Sequence, residues 1–210
     1  MGILERKKRE KERRRQQIMV AAKRVFSAKG LNRATMEDVA KEAELSPGTL
    51  YLYFKNKDEL FFSLSLRVLQ YLNIRLEHVL SNDKTLNPEQ KIESLRNALY
   101  DVYEFDPSML INMFHLQSSE TLRNLSPTLM DDLTDLSRQS LRLIAAILED
   151  EIRNGIFIDM HPIALADIVW AIFSGVILWE ESKTMIDGHK DYLKQTLEIA
   201  FEIFGRGIKT

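Results

Sequence analysis

Small, hydroxyl-bearing and aromatic side chains cluster between residues 46 and 57, at spacings that suit contact with a nucleic acid. Thr49 carries a hydroxyl and a methyl group for a phosphate or a base edge, and Tyr51 and Tyr53 carry long, stiff hydroxyl donors. Gly48 leaves room for close approach of the backbone to a groove floor. The candidate contacts of this segment are Ser46, Pro47, Gly48, Thr49, Tyr51, Tyr53, Lys55 and Lys57.

Two short helices would have to position these side chains. A supporting helix is predicted by apolar residues at helical spacing, namely Met36, Val39, Ala40 and Ala43. Thr35 is its predicted N-cap and a further candidate phosphate contact. Ser46 as N-cap and Pro47 at the first helical position predict a second helix that runs to Phe54, with Leu50 and Phe54 turned inward. N-terminal residues of such a second helix meet base edges in the major groove.

The residue order T-x-x-x-x-A-x-x-A-x-x-S-x-G-x-L-Y-x-Y-F-x-x-K-x-x-L from Thr35 to Leu60, preceded by IMVAAKRVFSAKG, resembles the N-terminal domain of TetR-type transcriptional regulators. The resemblance covers residues 16–62 closely, whereas residues 63–210 resemble the family only in length and helical pattern. The loop NGIFIDMHP at 154–162 is similar to a weaker family signature. Glu44 stands in the turn where the family usually has glycine, so we expect left-handed backbone strain or a reshaped turn there.

Charge is distributed unevenly along the chain. Residues 1–60 hold 15 Lys and Arg against 9 Asp and Glu (net +6), and residues 61–210 hold 14 against 22 (net −8). This asymmetry is typical of a DNA-contacting head on a body that does not bind DNA. Much of the excess lies between Arg6 and Arg15, where Arg13, Arg14 and Arg15 are candidate phosphate contacts. The alternatives are a solvated tail or helical extension with Glu–Arg pairs, and a membrane-surface helix, which would need an apolar face that this run lacks.

The remaining chain predicts an all-α protein with a three-helix helix-turn-helix head and a larger helical body. We expect a basic extension at 1–15, the head at 16–60 and the ligand-binding and dimerisation body at 61–210. Besides the two short helices, helices are predicted at about 13–29, 57–80, 88–104, 108–119, 127–153, 163–184 and 189–206. The helix at 57–80 would link head and body.

Aromatic, methionine and polar residues of the body are candidates for a mostly apolar ligand pocket, although such residues at helical spacing are more often plain core. These candidates are Tyr71, Tyr100, Tyr103, Met113, Phe114, His115, Gln117 and Trp170. The resemblance implies that the last two helices pair with their copies in a homodimer; the alternative is that they form the core of the monomer. The dimer candidates are Ala171, Gly175, Leu178, Leu193, Leu197, Phe201 and Phe204.

Several other functions find little support in the sequence. The chain has no cysteine, its four histidines are scattered, and it carries no glycine-rich phosphate loop, so we expect neither an enzyme nor a metal or cofactor site. The longest apolar run, Ile168–Trp179, has 12 residues, fewer than the roughly 20 that span a bilayer. The charged start is unlike a secretory signal, so we expect a cytoplasmic protein without membrane contact.

The resemblance implies a homodimeric repressor that covers a palindromic DNA operator until a small, largely apolar effector binds the body and moves the linking helix. A constitutive or architectural DNA-binding protein without an effector pocket is the alternative. The operator sequence, the effector and the choice between repression and activation stay open at this point.

Overall fold

A computed structural model gives the fold and describes residues 2–82, 86–117, 122, 123, 125–187 and 192–210. Their helices are α1 (Ile3–Lys29), α2 (Met36–Glu42), α3 (Pro47–Tyr51), α4 (Lys57–Asn82), α5 (Pro88–Phe105), α6 (Pro107–Gln117), α7 (Pro127–Arg153), α8 (Pro162–Asp187) and α9 (Leu193–Gly207). Within these described ranges, extended segments meet only in an isolated antiparallel bridge between Phe157 and Lys209. The predicted all-α class is confirmed.

Prolines set the start of most helices after α2. All five prolines of the chain stand at the first position of a helix, in α3, α5, α6, α7 and α8. A proline there loses no hydrogen bond, and its fixed φ already suits the helix. Both ends of each helix from α4 to α8 lie within three residues of the sequence-based prediction. The predicted start of the last helix, residue 189, lies outside the described residues.

The start of α1 and the end of α3 differ from the prediction. α1 begins at Ile3 instead of Arg13, because the basic run consists of good helix formers with pairs such as Gln16 Nε2 to Glu12 Oε1 (2.9 Å). α3 ends at Tyr51 instead of Phe54. Asn56 accepts a hydrogen bond from Glu59 N (2.8 Å) as the cap of α4, and a cap residue needs non-helical backbone, so α3 cannot continue into α4.

The chain divides into two compact units: unit 1 comprises residues 1–67 and 115–131, and unit 2 comprises residues 68–114 and 132–210. The core of unit 1 joins α1, α2, α3 and the first turns of α4. Ile18, Val39 and Leu50 are fully buried in it. Phe26 of α1 meets Phe61 of α4 edge to face, with ring centroids 6.0 Å apart. This core holds the two short helices in place.

Unit 2 is built on α5, α7, α8 and α9, together with the later part of α4 and most of α6. Its fully buried side chains include Leu95, Leu99, Ile144, Leu148, Phe173 and Phe201. Lys91 of α5 and Glu151 of α7 form a buried ion pair at 2.7 Å. Near the end of the chain, Ile158 N donates to Ile208 O at 2.8 Å, which ties the segment after α9 to the α7–α8 loop.

Candidate nucleic-acid interface

The turn between α2 and α3 closes α2 with a Schellman motif. Leu45 N donates to Ala40 O at 2.8 Å, and Glu44 N donates to Lys41 O at 3.1 Å. Glu44 has a φ of 55°, in the left-handed region that disfavours residues with a side chain. Of the alternatives left open for this turn, left-handed backbone at Glu44 is the one that the structure has, and the turn closes without a glycine.

The start of α3 is fixed by its cap. Ser46 Oγ accepts a hydrogen bond from Thr49 N at 3.1 Å, and the Ser46 and Thr49 hydroxyls lie 2.8 Å apart. Pro47 occupies the first helical position. Leu50 and Phe54 are buried, 0% and 1% exposed, and anchor the helix inward as predicted. The opposite side of α3 consequently faces solvent.

The candidate contacts share this solvent-facing side. Tyr51 is 49% exposed, and a Cβ added to Gly48 would have no neighbour within 4 Å, so a surface can approach its backbone closely. Ser46, Pro47 and Lys55 are also exposed, whereas Thr49 and Tyr53 are half-buried. Sequence reasoning missed Leu52, which follows α3 and is 79% exposed. An apolar side chain there could contact a thymine methyl group.

Thr35 caps α2 through a reciprocal pair of hydrogen bonds. Its Oγ1 accepts from Asp38 N, and Asp38 Oδ2 accepts from Thr35 N, both at 3.1 Å. Lys29 Nζ lies 2.5 Å from Asp38 Oδ1. The hydrogen bond from Lys29 and the one from Thr35 N lower the pKa of Asp38 below its ordinary value. The cap role of Thr35 is confirmed, and its contact with phosphate stays a prediction.

Lys57 has a different position from the one that the sequence indicated. Its Nζ donates to the carbonyl oxygens of Leu31 (2.8 Å), Ala34 (3.2 Å) and Asn32 (3.4 Å). An ammonium group has three donors, and all three have acceptors in the α1–α2 loop. We therefore withdraw Lys57 from the candidate phosphate contacts, because it holds the start of α4 to this loop.

The three arginines at the end of the basic run also differ from one another. Arg15 Nη2 donates to Ser63 Oγ at 3.2 Å, and its guanidinium lies 4.9 Å from the centre of the Phe54 ring. It packs within unit 1 and is withdrawn as a phosphate contact. Arg13 is exposed, and Arg14 Nη1 donates to the exposed Gln17 (3.2 Å), so both remain candidates.

Comparison with known proteins supports this geometry. Residues 18–64 match the family described as "Bacterial regulatory proteins, tetR family". An "Uncharacterized HTH-type transcriptional regulator" of Haemophilus influenzae is 33% identical over 138 residues, which are 64% of this chain and 73% of that protein. The chain belongs to the TetR family. Its relatives are named as transcriptional regulators and not as enzymes.

Solved structures of TetR-family regulators share the fold over most of the chain. PfmR from Thermus thermophilus has a TM-score of 0.69 at 21% identity, covering 92% of this chain and 99% of its own. FadR from Bacillus subtilis, solved in complex with stearoyl-CoA, has a TM-score of 0.67 at 20% identity, covering 92% and 98%. At these identities the likeness describes the fold alone.

The predicted pocket residues of this TetR-family chain form separate ring contacts. Phe114 packs edge to face against Trp170 (5.7 Å) and against Phe173 (6.0 Å) in unit 2. Tyr71 stacks on Phe105, and Tyr100 stacks on Tyr103 beneath Lys194 Nζ. Met113 is buried.

The two predicted polar anchors, His115 and Gln117, follow Phe114 on α6. His115 is exposed and belongs to unit 1, so we withdraw it as an anchor in unit 2. The side chain of Gln117 lies outside the described residues.

The predicted dimer residues divide by exposure. Leu193, Leu197, Phe201 and Phe204 are at most 7% exposed, so they form the core of unit 2 and cannot supply a dimer interface. The monomer-core alternative is correct for these four. Ala171 and Gly175 are exposed and Leu178 is half-buried. Among the described residues, the large apolar side chains left exposed on the two helices are Ile168, Trp179 and Ile186 of α8, and Ile199 and Ile203 of α9.

α8 is strongly apolar although much of its surface is exposed. Pro162–Thr184 has a mean hydropathy of 1.9, and 28% of its most apolar stretch is buried, so length and composition alone would allow it to cross a membrane. The apolar stretch Pro162–Thr184 is longer than the 12-residue run that the sequence indicated. A helix that packs in the core or at a protein interface passes the same test, which makes this weak evidence for a membrane.

Proposed function

We propose that the protein is a cytoplasmic, homodimeric transcriptional repressor that binds a palindromic operator and is released by a small-molecule effector. The observation that carries this proposal is the capped α2–turn–α3 geometry, which buries Leu50 and Phe54 and leaves the opposite side of α3 open. We retain residues 16–60 as the proposed DNA-binding domain and 61–210 as the proposed ligand-binding and dimerisation domain.

The proposed contacts fall into two kinds. Pro47, Gly48 and Thr49, at the start of α3, would meet base edges in the major groove. Hydroxyl, ammonium and guanidinium groups around them would bind phosphates and fix the register of the head on the duplex. This second set comprises Thr35, Ser46, Tyr51, Tyr53, Lys55, Arg13 and Arg14.

Selection from a randomised duplex pool, followed by sequencing, tests this function. We expect one palindrome to be enriched, since two copies of α3 would read half-sites one helical turn, about 34 Å, apart. Thr49→Ala combined with Tyr51→Ala should lower affinity for that palindrome while leaving the helical content unchanged. Salt-sensitive binding without an enriched sequence would favour the architectural alternative, and no binding would refute both.

The uncovered face of α8 and α9 supports a homodimer. Ile168, Ala171, Gly175 and Trp179 recur along one side of α8, and Ile199 and Ile203 are four residues apart on α9. A second copy of the chain would cover this apolar surface. Trp179→Glu with Ile203→Glu should give monomers in analytical ultracentrifugation, whereas an unchanged dimer would refute this interface.

An apolar effector is the second part of the proposal. The ring cluster of Phe114, Trp170 and Phe173 lies in unit 2, and FadR of Bacillus subtilis has a related fold and binds stearoyl-CoA. Long-chain acyl-CoA esters are therefore the first compounds to test. Binding would favour one conformation of α4 and change the separation of the two α3 helices, for which a difference in affinity of a few kcal/mol between states is enough.

Distances between spin labels at residue 51 of the two protomers test this switch. The separation should change when an acyl-CoA ester releases the operator. An unchanged separation despite release would refute the movement, and a library in which no compound releases the operator would favour the constitutive alternative.

A further inference from the structure

The first turns of α1 carry an arginine stripe, which we define as Arg6, Arg9 and Arg13. The three side chains recur every three to four residues on the face that also bears Gln17, and with Glu10 and Arg14 they line a shallow groove along the helix. Residues 5–13 are exposed throughout. Core packing therefore does not account for the type or the order of the residues on this face.

Charge distinguishes this face from an ordinary solvated helix. Residues 5–15 hold eight Lys and Arg against three Glu. Around the groove itself, four arginines face one glutamate, a net charge of +3. A concentration of one sign on one helical face repels itself in the free protein and favours a polyanionic partner.

Gln17 shows on which side of α1 the arginine stripe lies. Its Nε2 donates to Ala43 O at 2.8 Å, immediately before the Glu44 turn. Two turns further along the same face, Arg24 Nη1 lies 3.2 Å from Glu42 Oε1. The face that bears the arginine stripe is thus the face that contacts the C-terminal end of α2, next to the turn that leads into α3.

We propose that the arginine stripe binds phosphates of the duplex that flanks each half-site, independently of base sequence. This inference rests on the proposed function, because it takes α3 in the major groove as its reference point. From Gln17 back to Arg6, eleven residues rise about 16 Å at 1.5 Å per residue. That length corresponds to about five base pairs at 3.4 Å each. Arginine suits the role because its planar fork matches phosphate oxygens.

The helical state of this segment matters for the proposal. A disordered basic tail would lose conformational entropy on binding, whereas α1 already holds the three arginines on one helical face. The row continues a helix that is packed from Ile18 onward, so the costly nucleation of a separate helix is avoided.

Two matched variants of the full chain test the arginine stripe. Arg6→Ala/Arg9→Ala/Arg13→Ala removes it, and Lys7→Ala/Lys8→Ala/Lys11→Ala removes the same charge from the other faces of α1. Alanine is a good helix former, so α1 should stay helical in both variants, which circular dichroism will check. Each protein is titrated with two duplexes that carry the selected palindrome, one ending at its last base pair and one with eight mixed-sequence base pairs on each side.

We expect the wild-type protein and the lysine variant to bind the flanked duplex more tightly than the trimmed one, and the arginine variant to bind both equally. On the flanked duplex, loss of three phosphate contacts should reduce the salt slope by about 2.7 per protomer, at roughly 0.9 per phosphate. A fourfold rise in salt would then weaken the wild type about 40-fold more than the arginine variant, per bound protomer.

Equal sensitivity of all three proteins to trimming, or none in the wild type, would overturn the arginine stripe as a flanking contact while leaving operator recognition by α3 intact. Failure of the wild-type protein to bind the palindrome in either duplex would instead overturn the proposed function, and this inference with it.

Discussion

Replacement of Glu44 by glycine should stabilise the protein. Glu44 occupies the left-handed position that ends the Schellman motif of α2, with a φ of 55°. Its side chain is exposed, and its backbone N–H bonds to Lys41 O, so glycine can keep the hydrogen bond and remove only the steric conflict at Cβ. The substitution therefore isolates the cost of an L-residue in this turn.

The expected gain follows from two opposing effects. A left-handed conformation costs a residue with a Cβ atom roughly 1–2 kcal/mol. Glycine loses more backbone entropy on folding, which returns about 0.5–1 kcal/mol of that gain. The net increase in the free energy of unfolding should be roughly 0.5–1 kcal/mol. For a chain of this size it corresponds to a rise in Tm of about 1–4 °C.

Differential scanning calorimetry measures the Tm, and hydrogen exchange of peptides from α2 and α3 locates the effect. Glu44→Ala is the matched control, because it removes the same carboxylate but retains the Cβ atom. We expect Glu44→Gly to unfold above Glu44→Ala, with slower exchange confined to unit 1. Equal Tm values for the two variants would show that charge, and not backbone conformation, accounts for any gain, which would refute the reasoning.

Three further predictions concern contacts within each unit and the exposed face of α9. Lys57→Met should lower the free energy of unfolding by about 2 kcal/mol in urea titrations, since three carbonyl groups lose a charged donor. Replacement of the exposed Lys55 by Met should change it by less than about 0.5 kcal/mol. Equal effects of the two substitutions would contradict the structural role of Lys57. The lowered pKa of Asp38 means that its contribution is present above its ordinary pKa of 3.8 and is lost as pH falls further, so the Tm difference between wild type and Asp38→Asn should shrink from pH 7 to pH 3. A constant difference would show that charge is not involved. Leu197→Ala should lower the free energy of unfolding by about 2–5 kcal/mol because it opens a cavity. Ile203→Ala should leave the free energy of unfolding of the monomer unchanged and weaken self-association in sedimentation. The reverse pattern would refute the revised interface.

The sequence alone determined the helical class, the starts of α2 to α8 to within one residue and the motif that places the chain in its family. Prolines, N-caps and apolar spacing act through neighbouring residues, so Pro47, Ser46 and Thr35 identify local structure without knowledge of the fold. At Glu44 the sequence left a strained turn and a reshaped turn open, and the φ of 55° in the structure decides for left-handed backbone. The matched family range, residues 18–64, lies within two residues of the stretch that the motif indicated.

Tertiary structure decided which side chains are exposed and which already have partners within the fold. The sequence indicated Lys57 and Arg15 as cations available to a phosphate. In the structure, carbonyl groups of the α1–α2 loop accept hydrogen bonds from Lys57, and the Ser63 hydroxyl accepts one from Arg15. Leu197 and Ile203 are both apolar residues of one helix, and only the packing of α9 shows that the first is 1% and the second 66% exposed. Spacing along a chain gives the face of a helix on which a residue lies. The neighbour that covers that face comes from elsewhere in the sequence, so only the fold can identify it.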